Sequence, residues 1–215
     1  MKKTLLFTLL FTTIIIRAQK NIYESNKFNS LTKNHEILAI IPFITKLDLK
    51  ENITTEELKS LEEKEGYAVQ NAFETYFSRG RKKKKYVVDF QNTKDTNALL
   101  SQNEITYQNI DIYTIKQLCE ILEVDGIISG NLDLNILLSK GIPTGFSILD
   151  YFNGNSNYGR IGVKVSDGET GKLLWKYEKK INKKSGKNTT NLIELMMKQA
   201  TKKFPYEKEK LKEKK

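Results

Sequence analysis

An α/β fold is the architecture this 215-residue sequence predicts: a mixed five-stranded sheet, with three parallel strands joined by helical crossovers plus a C-terminal antiparallel hairpin, and helices packed on it. Three observations predict it. The run Ile37, Leu38, Ala39, Ile40, Ile41, Pro42, Phe43 is apolar at consecutive positions and reads as a central strand buried on both faces, with Pro42 suiting a strand that leaves its sheet. Helical repeats separate this run from the next two strand-like segments, which implies parallel pairing through right-handed connections. The turn Asp167, Gly168, Glu169, Thr170, Gly171 lies between two alternating segments and closes a hairpin.

Taken in order, residues 1–18 join a basic start (Lys2, Lys3) to a short apolar stretch ending at Arg17 and Ala18, which predicts a secretory signal peptide cleaved after Ala18. The stretch is shorter than the ~20 residues a membrane-spanning helix needs. Residues 19–35 show no period and are expected to be a flexible lead-in. A single domain is expected over residues 36–204, followed by a charged tail, 205–215.

Inside the domain, the central strand gives way to an irregular stretch at 44–52. Thr54 then caps a long helix, and Glu57 is placed to reach back to it. Leu58, Leu61, Ala68, Val69, Ala72, Phe73, Tyr76 and Phe77 recur at spacings of three and four, forming its buried stripe. Gly80 is expected to end the helix. Tyr86 to Phe90 reads as the second strand and residues 92–103 as a shorter helix. Thr114 caps a third helix, buried through Leu118, Ile121 and Leu122. Val124, Asp125 and Gly126 turn the chain into a strand whose Ile128, Leu132 and Leu134 face one way, and whose Ser129, Asn131 and Asp133 face the other. Ile161, Val163 and Val165 point inward from the first hairpin strand, and Leu173, Trp175 and Tyr177 share a face of the second. Leu192, Ile193, Met196, Met197, Ala200 and Phe204 line a final helix that Pro205 stops.

The formal charge of +10 falls to +7 once residues 1–18, with Lys2, Lys3 and Arg17, are removed. What remains is concentrated in the run Arg79, Arg81, Lys82, Lys83, Lys84, Lys85 and in the lysine-rich end of the chain. A basic pI that belongs to one turn and one tail argues against a broad nucleic-acid groove. The six cations of the run are a candidate anion-binding site, set against the ordinary reading of such a run as a solvated loop.

The sequence offers little for catalysis, so no catalytic, cofactor or metal residues are assigned. The lone histidine, His35, has no serine or cysteine motif beside it and reads as a solvated polar residue. The lone cysteine, Cys119, lies in a helical stretch and reads as a small core residue. Gly168 to Lys172 lacks the glycine spacing of a phosphate loop. Asn131, Asp133 and Asn135 resemble the start of a calcium loop, but Ile136 stands where its glycine is obligatory. Residues 139–157 form a long connection, and connections of this length without their own secondary structure are uncommon unless functional or disordered. Phe146, Tyr151 and Phe152 in it are candidate partner-binding anchors, against the alternative that they cover the sheet or form an extra hairpin.

Three segments together carry a family resemblance: Leu38 to Phe43, Leu122 to Leu132 and Val163 to Trp175. With its strand ending in Pro-Phe, its Asp-Gly strand entry and its Asp-x-x-Thr-Gly hairpin, the chain resembles the periplasmic α/β domains of the curli-secretion lipoproteins, the penicillin-binding-protein activator lipoproteins and the amino-terminal domain of the Tol-system propeller protein. The resemblance implies this fold and an envelope location. Lipidated members carry a cysteine at the signal cleavage site, and none stands there in this chain, so export without a lipid anchor is expected, to the periplasm or beyond. The function expected is a non-enzymatic envelope module that docks a protein partner in envelope biogenesis or secretion. The alternative is a binder of an anionic envelope component, a lipid headgroup or cell-wall glycan, through the basic clusters; a nucleic-acid partner is disfavoured by export.

Overall fold

The computed structural model describes residues 21–49, 53–142, 157–200 and 204–208. Its elements in chain order are β1 (Ile22–Glu24), α1 (Phe28–Leu31), β2 (Ile37–Ile40), β3 (Ile44–Leu47), α2 (Thr55–Lys82), β4 (Asp89–Phe90), α3 (Thr93–Gln102), α4 (Ile115–Leu122), β5 (Gly126–Leu134), β6 (Asn157–Asp167), β7 (Leu173–Asn182) and α5 (Thr189–Ala200). The strands form one open mixed sheet in the order β1-β7-β6-β5-β2-β4, with β3 also paired to β5. The expected class is therefore present, with seven strands among the described residues where five were expected.

The anchor is β2. It pairs in parallel with β4 on one side and with β5 on the other, and Leu38, Ala39 and Ile40 are wholly buried. Its two faces feed separate cores. Leu38 and Ile40 join Val69, Phe73 and Phe77 of α2 and Ile193 and Met197 of α5, while Ala39 and Ile41 join Leu118 and Leu122 of α4. Each such side chain removed from water stabilises the fold by about 1.5–3 kcal/mol before entropy.

The two additional strands have local causes. Pro42 supplies no N–H, so the ladder on β5 breaks after Ile41, and β3 resumes it against Asn131–Leu134. At the break, Phe43 N–H turns to the Gly66 carbonyl of α2 at 3.4 Å, a crossing so close that a Cβ at Gly66 would sit 2.2 Å from the Phe43 oxygen. The stretch expected to be irregular thus includes a paired strand. The expected flexible lead-in is also partly ordered: β1 pairs antiparallel with Trp175–Tyr177, and Phe28 of α1 is buried.

Both predicted helix starts carry complete capping boxes, Thr54 with Glu57 and Thr114 with Gln117. The end of α2 differs from expectation. Gly80 lies inside the helix, where a Cβ would fall 2.3 Å from the Tyr86 ring, so its role is close packing and the helix runs on to Lys82. The second strand is shorter than Tyr86 to Phe90: only Asp89 and Phe90 join the ladder, while Tyr86 bridges to Glu207. Packing continues past residue 204, since Tyr206 and Glu207 are buried.

Coverage of the sheet is unequal. α2 and α5 lie over one face. On the other face, α3 and α4 cover β2 and the start of β5, α4 reaches the end of β6, and no described residue of β6 or β7 belongs to the apolar cluster they form. The rest of this face carries the polar residues of the alternating pattern: among the described residues Asn131 and Asp133 are exposed, as are Arg160 and Lys180.

Candidate functional site

The ends of the long connection are pinned, and its base is built largely by one buried carboxylate. Glu65 sits in the apolar stripe of α2, four residues from both Leu61 and Val69, and is 1% exposed. Its carboxylate accepts from Ser139 N–H at 3.1 and 3.2 Å and from the Ser139 hydroxyl, so hydrogen bonds offset part of the cost of burying it. Ile142 N–H donates to Lys187 O at 2.9 Å, and Gly141 takes φ +102 between these two anchors. On the return side, Asn135 N–H donates to Tyr158 O at 3.2 Å and its amide to Asn157 O at 3.0 Å. Residues 139–142 and 157–158 are thereby fixed to α2, β5 and the loop before α5. Phe146, Tyr151 and Phe152 lie outside the described residues.

The basic run does not form one uniform patch. Arg79 reaches Glu194 of α5 at 3.6 Å, and Lys85 reaches the buried Glu207 at 3.0 Å. Lys84 adopts φ 52 just after α2. Arg81 and Lys84 join Lys208 around a cleft of about 380 Å³ that also contains Glu36 and Asp89. Lys82 and Lys83 are exposed. Among the six predicted cations, Arg81 and Lys84 are therefore the ones brought together in a concave setting.

A polar cluster at the opposite end of β5 was not anticipated. The His35 side chain is only 6% exposed, which corrects its reading as solvated. Its Nε2 lies 2.9 Å from Asp167 Oδ1, and its Nδ1 lies 2.7 Å from the Tyr206 hydroxyl. Asp167 Oδ2 in turn accepts from Thr170 N–H at 2.8 Å and from the Thr170 hydroxyl, which fixes the hairpin turn. Asp125 Oδ2 completes the region by accepting from Glu36 N–H at 2.7 Å and Ile37 N–H at 2.9 Å, setting the start of β2 beside the start of β5. A cleft of about 540 Å³ opens beside this cluster, with Lys33, Lys116, Cys119 and Glu169 on its walls.

This cleft is poorly equipped for acid-base or nucleophilic work. Both imidazole nitrogens are already engaged, and burial, followed by the charges of Asp167, Asp125 and Glu120, pushes the Cys119 thiol up to about 12. Among the described residues, no three His, Cys, Asp or Glu side chains converge as metal ligands. No helix among them is long and apolar enough to cross a membrane. The cluster joins the start of the domain, the hairpin turn and the C-terminal segment, and its chemistry is that of a structural clamp. Glu65 had a sequence signal, its place in the apolar stripe; the His35 cluster had none, because its members are distant in the chain.

No protein-family model and no curated protein matches the chain. Among solved structures it is similar to lipoprotein GNA1162 from Neisseria meningitidis, at 12% identity and a TM-score of 0.47 over 78% of this chain and 96% of that one. It is also similar to the LpoB C-terminal domain from Salmonella enterica, at 6% identity and a TM-score of 0.39 over 72% and 92% of the two chains. For the PelC dodecamer from Paraburkholderia phytofirmans the figures are 9% identity and a TM-score of 0.31, over 76% and 86%. At such identities and scores these neighbours assign no functional residue, and the functional reading rests on the side chains of this chain.

Proposed function

We propose that the protein is an exported, non-enzymatic envelope module that acts by docking a protein partner through the 139–157 connection. The observation that carries this reading is the fixed base. A carboxylate is buried in α2 and satisfied by Ser139, and the two sides of the connection are hydrogen-bonded to separate elements. Such anchoring sets where an aromatic-rich segment leaves and rejoins the domain, which lowers the entropy lost when that segment is captured. Phe146, Tyr151 and Phe152 are its anchors in this reading. Export rests on the signal-like residues 1–18, and intact mass of the mature protein tests it: a start at Gln19 without acyl chains supports a soluble exported form. Cross-linking in the native envelope, followed by identification of neighbours, tests docking. One recurrent protein neighbour supports the proposal, and cross-links spread without preference over abundant envelope proteins contradict it.

A second reading is binding of an anionic envelope component at the cleft shared by Arg81, Lys84 and Lys208. Its supporting observation is the convergence of three cations there, opposed by Glu36 and Asp89. A complex held mainly by these charges weakens steeply as salt rises.

A further inference from the structure

The outward face of the β6-β7 hairpin carries an arrangement that folding alone does not favour. Lys164 stands directly opposite Lys176, and Arg160 directly opposite Lys180, whereas Gly162 faces Glu178 between them. Like charges directly opposite on neighbouring strands destabilise a sheet. Compensation is partial. Lys176 Nζ lies 2.7 Å from Glu178 Oε1, Lys164 Nζ donates to Asn131 Oδ1 at 3.2 Å, and Asp133 stands opposite Arg160 on β5. The Lys176 ammonium, with Arg160 and Lys164 beyond it, holds the Glu178 carboxyl below the usual carboxylate range.

The geometry of this face is regular. Residues four apart along a strand are about 13 Å apart, and directly opposed residues about 5 Å apart. The backbone positions of the four cations therefore mark the corners of a rectangle, with Gly162 and Glu178 midway along its long sides and the Lys176 ammonium leaning in to the Glu178 carboxylate. Among the described residues, a Cβ placed on Gly162 would meet nothing closer than Glu178 Cγ at 3.7 Å. Tyr23, opposite Lys176 on β1 and 49% exposed, borders the same surface, beside a hollow of about 750 Å³. α3 and α4 pack on the adjoining part of this face, over β2 and the start of β5.

We propose that this face is a second docking surface, besides the 139–157 connection, and that it takes an extended acidic segment of a partner protein with carboxylates four residues apart. Same-side residues of an extended peptide recur every ~6.8 Å, so acidic side chains at i and i+4 meet the two cation pairs while residue i+2 lies over Gly162 and Glu178. The central Glu178 selects against a polyanion charged at every unit, because one of its charges would be set against that carboxylate. A polypeptide places a lysine or a neutral residue there.

The test is titration of the mature protein with a short fluorescent peptide bearing two glutamates four apart and a lysine midway. The comparators are a peptide of the same composition with adjacent glutamates, polygalacturonate, and vesicles containing phosphatidylglycerol. The spaced peptide is expected to bind at least tenfold more tightly than the rearranged one, with binding that falls as salt rises. Lys164→Glu is expected to weaken it at least tenfold while leaving melting unchanged or raised, since it removes a like-charge pair. Gly162→Val fills the centre without changing charge and is expected to weaken binding with the parent's salt dependence. Equal binding of the two peptides, preference for polygalacturonate or vesicles, or undiminished binding by both variants overturns the proposal. Serine replacement of Phe146, Tyr151 and Phe152 leaves this titration unchanged, so the two surfaces fail or stand separately.

Discussion

The hydroxyl of Tyr206 lies 2.7 Å from Nδ1 of His35, joining residues 171 positions apart in the chain. Asp167 Oδ1 lies 2.9 Å from Nε2 of the same ring, so the imidazole bridges the carboxylate and the phenol. Burial first, then the charges of Asp167 and Asp125, raises the pKa of Tyr206 above the usual phenol range and keeps the hydroxyl protonated. Phe28 packs edge-on against the same ring with centroids 5.0 Å apart. Tyr206→Phe keeps this packing but leaves Nδ1 buried without its hydrogen-bond partner, a change that costs about 1–3 kcal/mol. Tyr206→Ala also opens a cavity and costs about 3–5 kcal/mol, on the scale of large aromatic truncations. Thermal melting checks both, and a Tyr206→Phe protein that melts with the parent would show that the hydroxyl contributes nothing.

Ile40 is fully buried in β2, between the β4 and β5 ladders. Ile40→Asp places an unpaired carboxylate in the core shared with α2 and α5, at a cost of several kcal/mol and comparable with the net stability of a domain. The expected result is loss of the cooperative melt in calorimetry. A variant melting within a few degrees of the parent contradicts the central placement of this strand.

What was legible in the sequence follows from local chemistry. Ile37 to Phe43 announced a two-sided strand because every residue there had to be dry, and Thr54, Thr114 and the Asp167 turn announced themselves through side chains that bond within three residues. β3 was not legible: its four residues hold a strand only because β5 outlasts β2 and offers a second stretch of edge beyond Pro42. β1 depends in the same way on β7. His35 looked idle because both of its partners arrive from distant segments. Gly80 resembled a helix stop, yet its requirement comes from the Tyr86 ring. The candidate anchors of the 139–157 connection stand out in the sequence alone and lie outside the described residues, whereas the carboxylate holding its base was visible only as an acidic residue within an apolar stripe.

Cys119 gives the protein a predictable response to alkali. Its thiol is pushed from 9.0 up to about 12 in the folded protein, first by burial and then by neighbouring carboxylates. The unfolded chain loses this proton near 9 and the folded chain only near 12, so the folded state binds more protons between those values. The stabilisation is therefore complete below pH 9 and is lost as pH rises toward 12. Tyr86 and Tyr206, both raised above 10.0 mainly by burial, act in the same direction at higher pH. Urea unfolding at pH 8, 9 and 10 should show falling stability, with a shallower fall in Cys119→Ala. An unchanged slope in that variant removes Cys119 from this account. The folded parent should also resist alkylation at pH 8 and react once unfolded.

The 139–157 connection allows docking and stability to be separated. Glu65 and Ser139 belong to the buried base, so Glu65→Ala strands the Ser139 N–H and hydroxyl and should lower stability by about 1–3 kcal/mol. Phe146, Tyr151 and Phe152 are proposed to act on the partner, where loss of a central aromatic anchor typically costs about 2 kcal/mol or more of binding. Their joint replacement by serine should leave melting nearly unchanged and abolish capture of the native neighbour found by cross-linking. Glu65→Ala should show the reverse balance, with a lower melting temperature and capture weakened only in part. A triple variant that melts far below the parent assigns the three aromatics to the core. One that melts normally and still captures the neighbour removes this connection from the docking site.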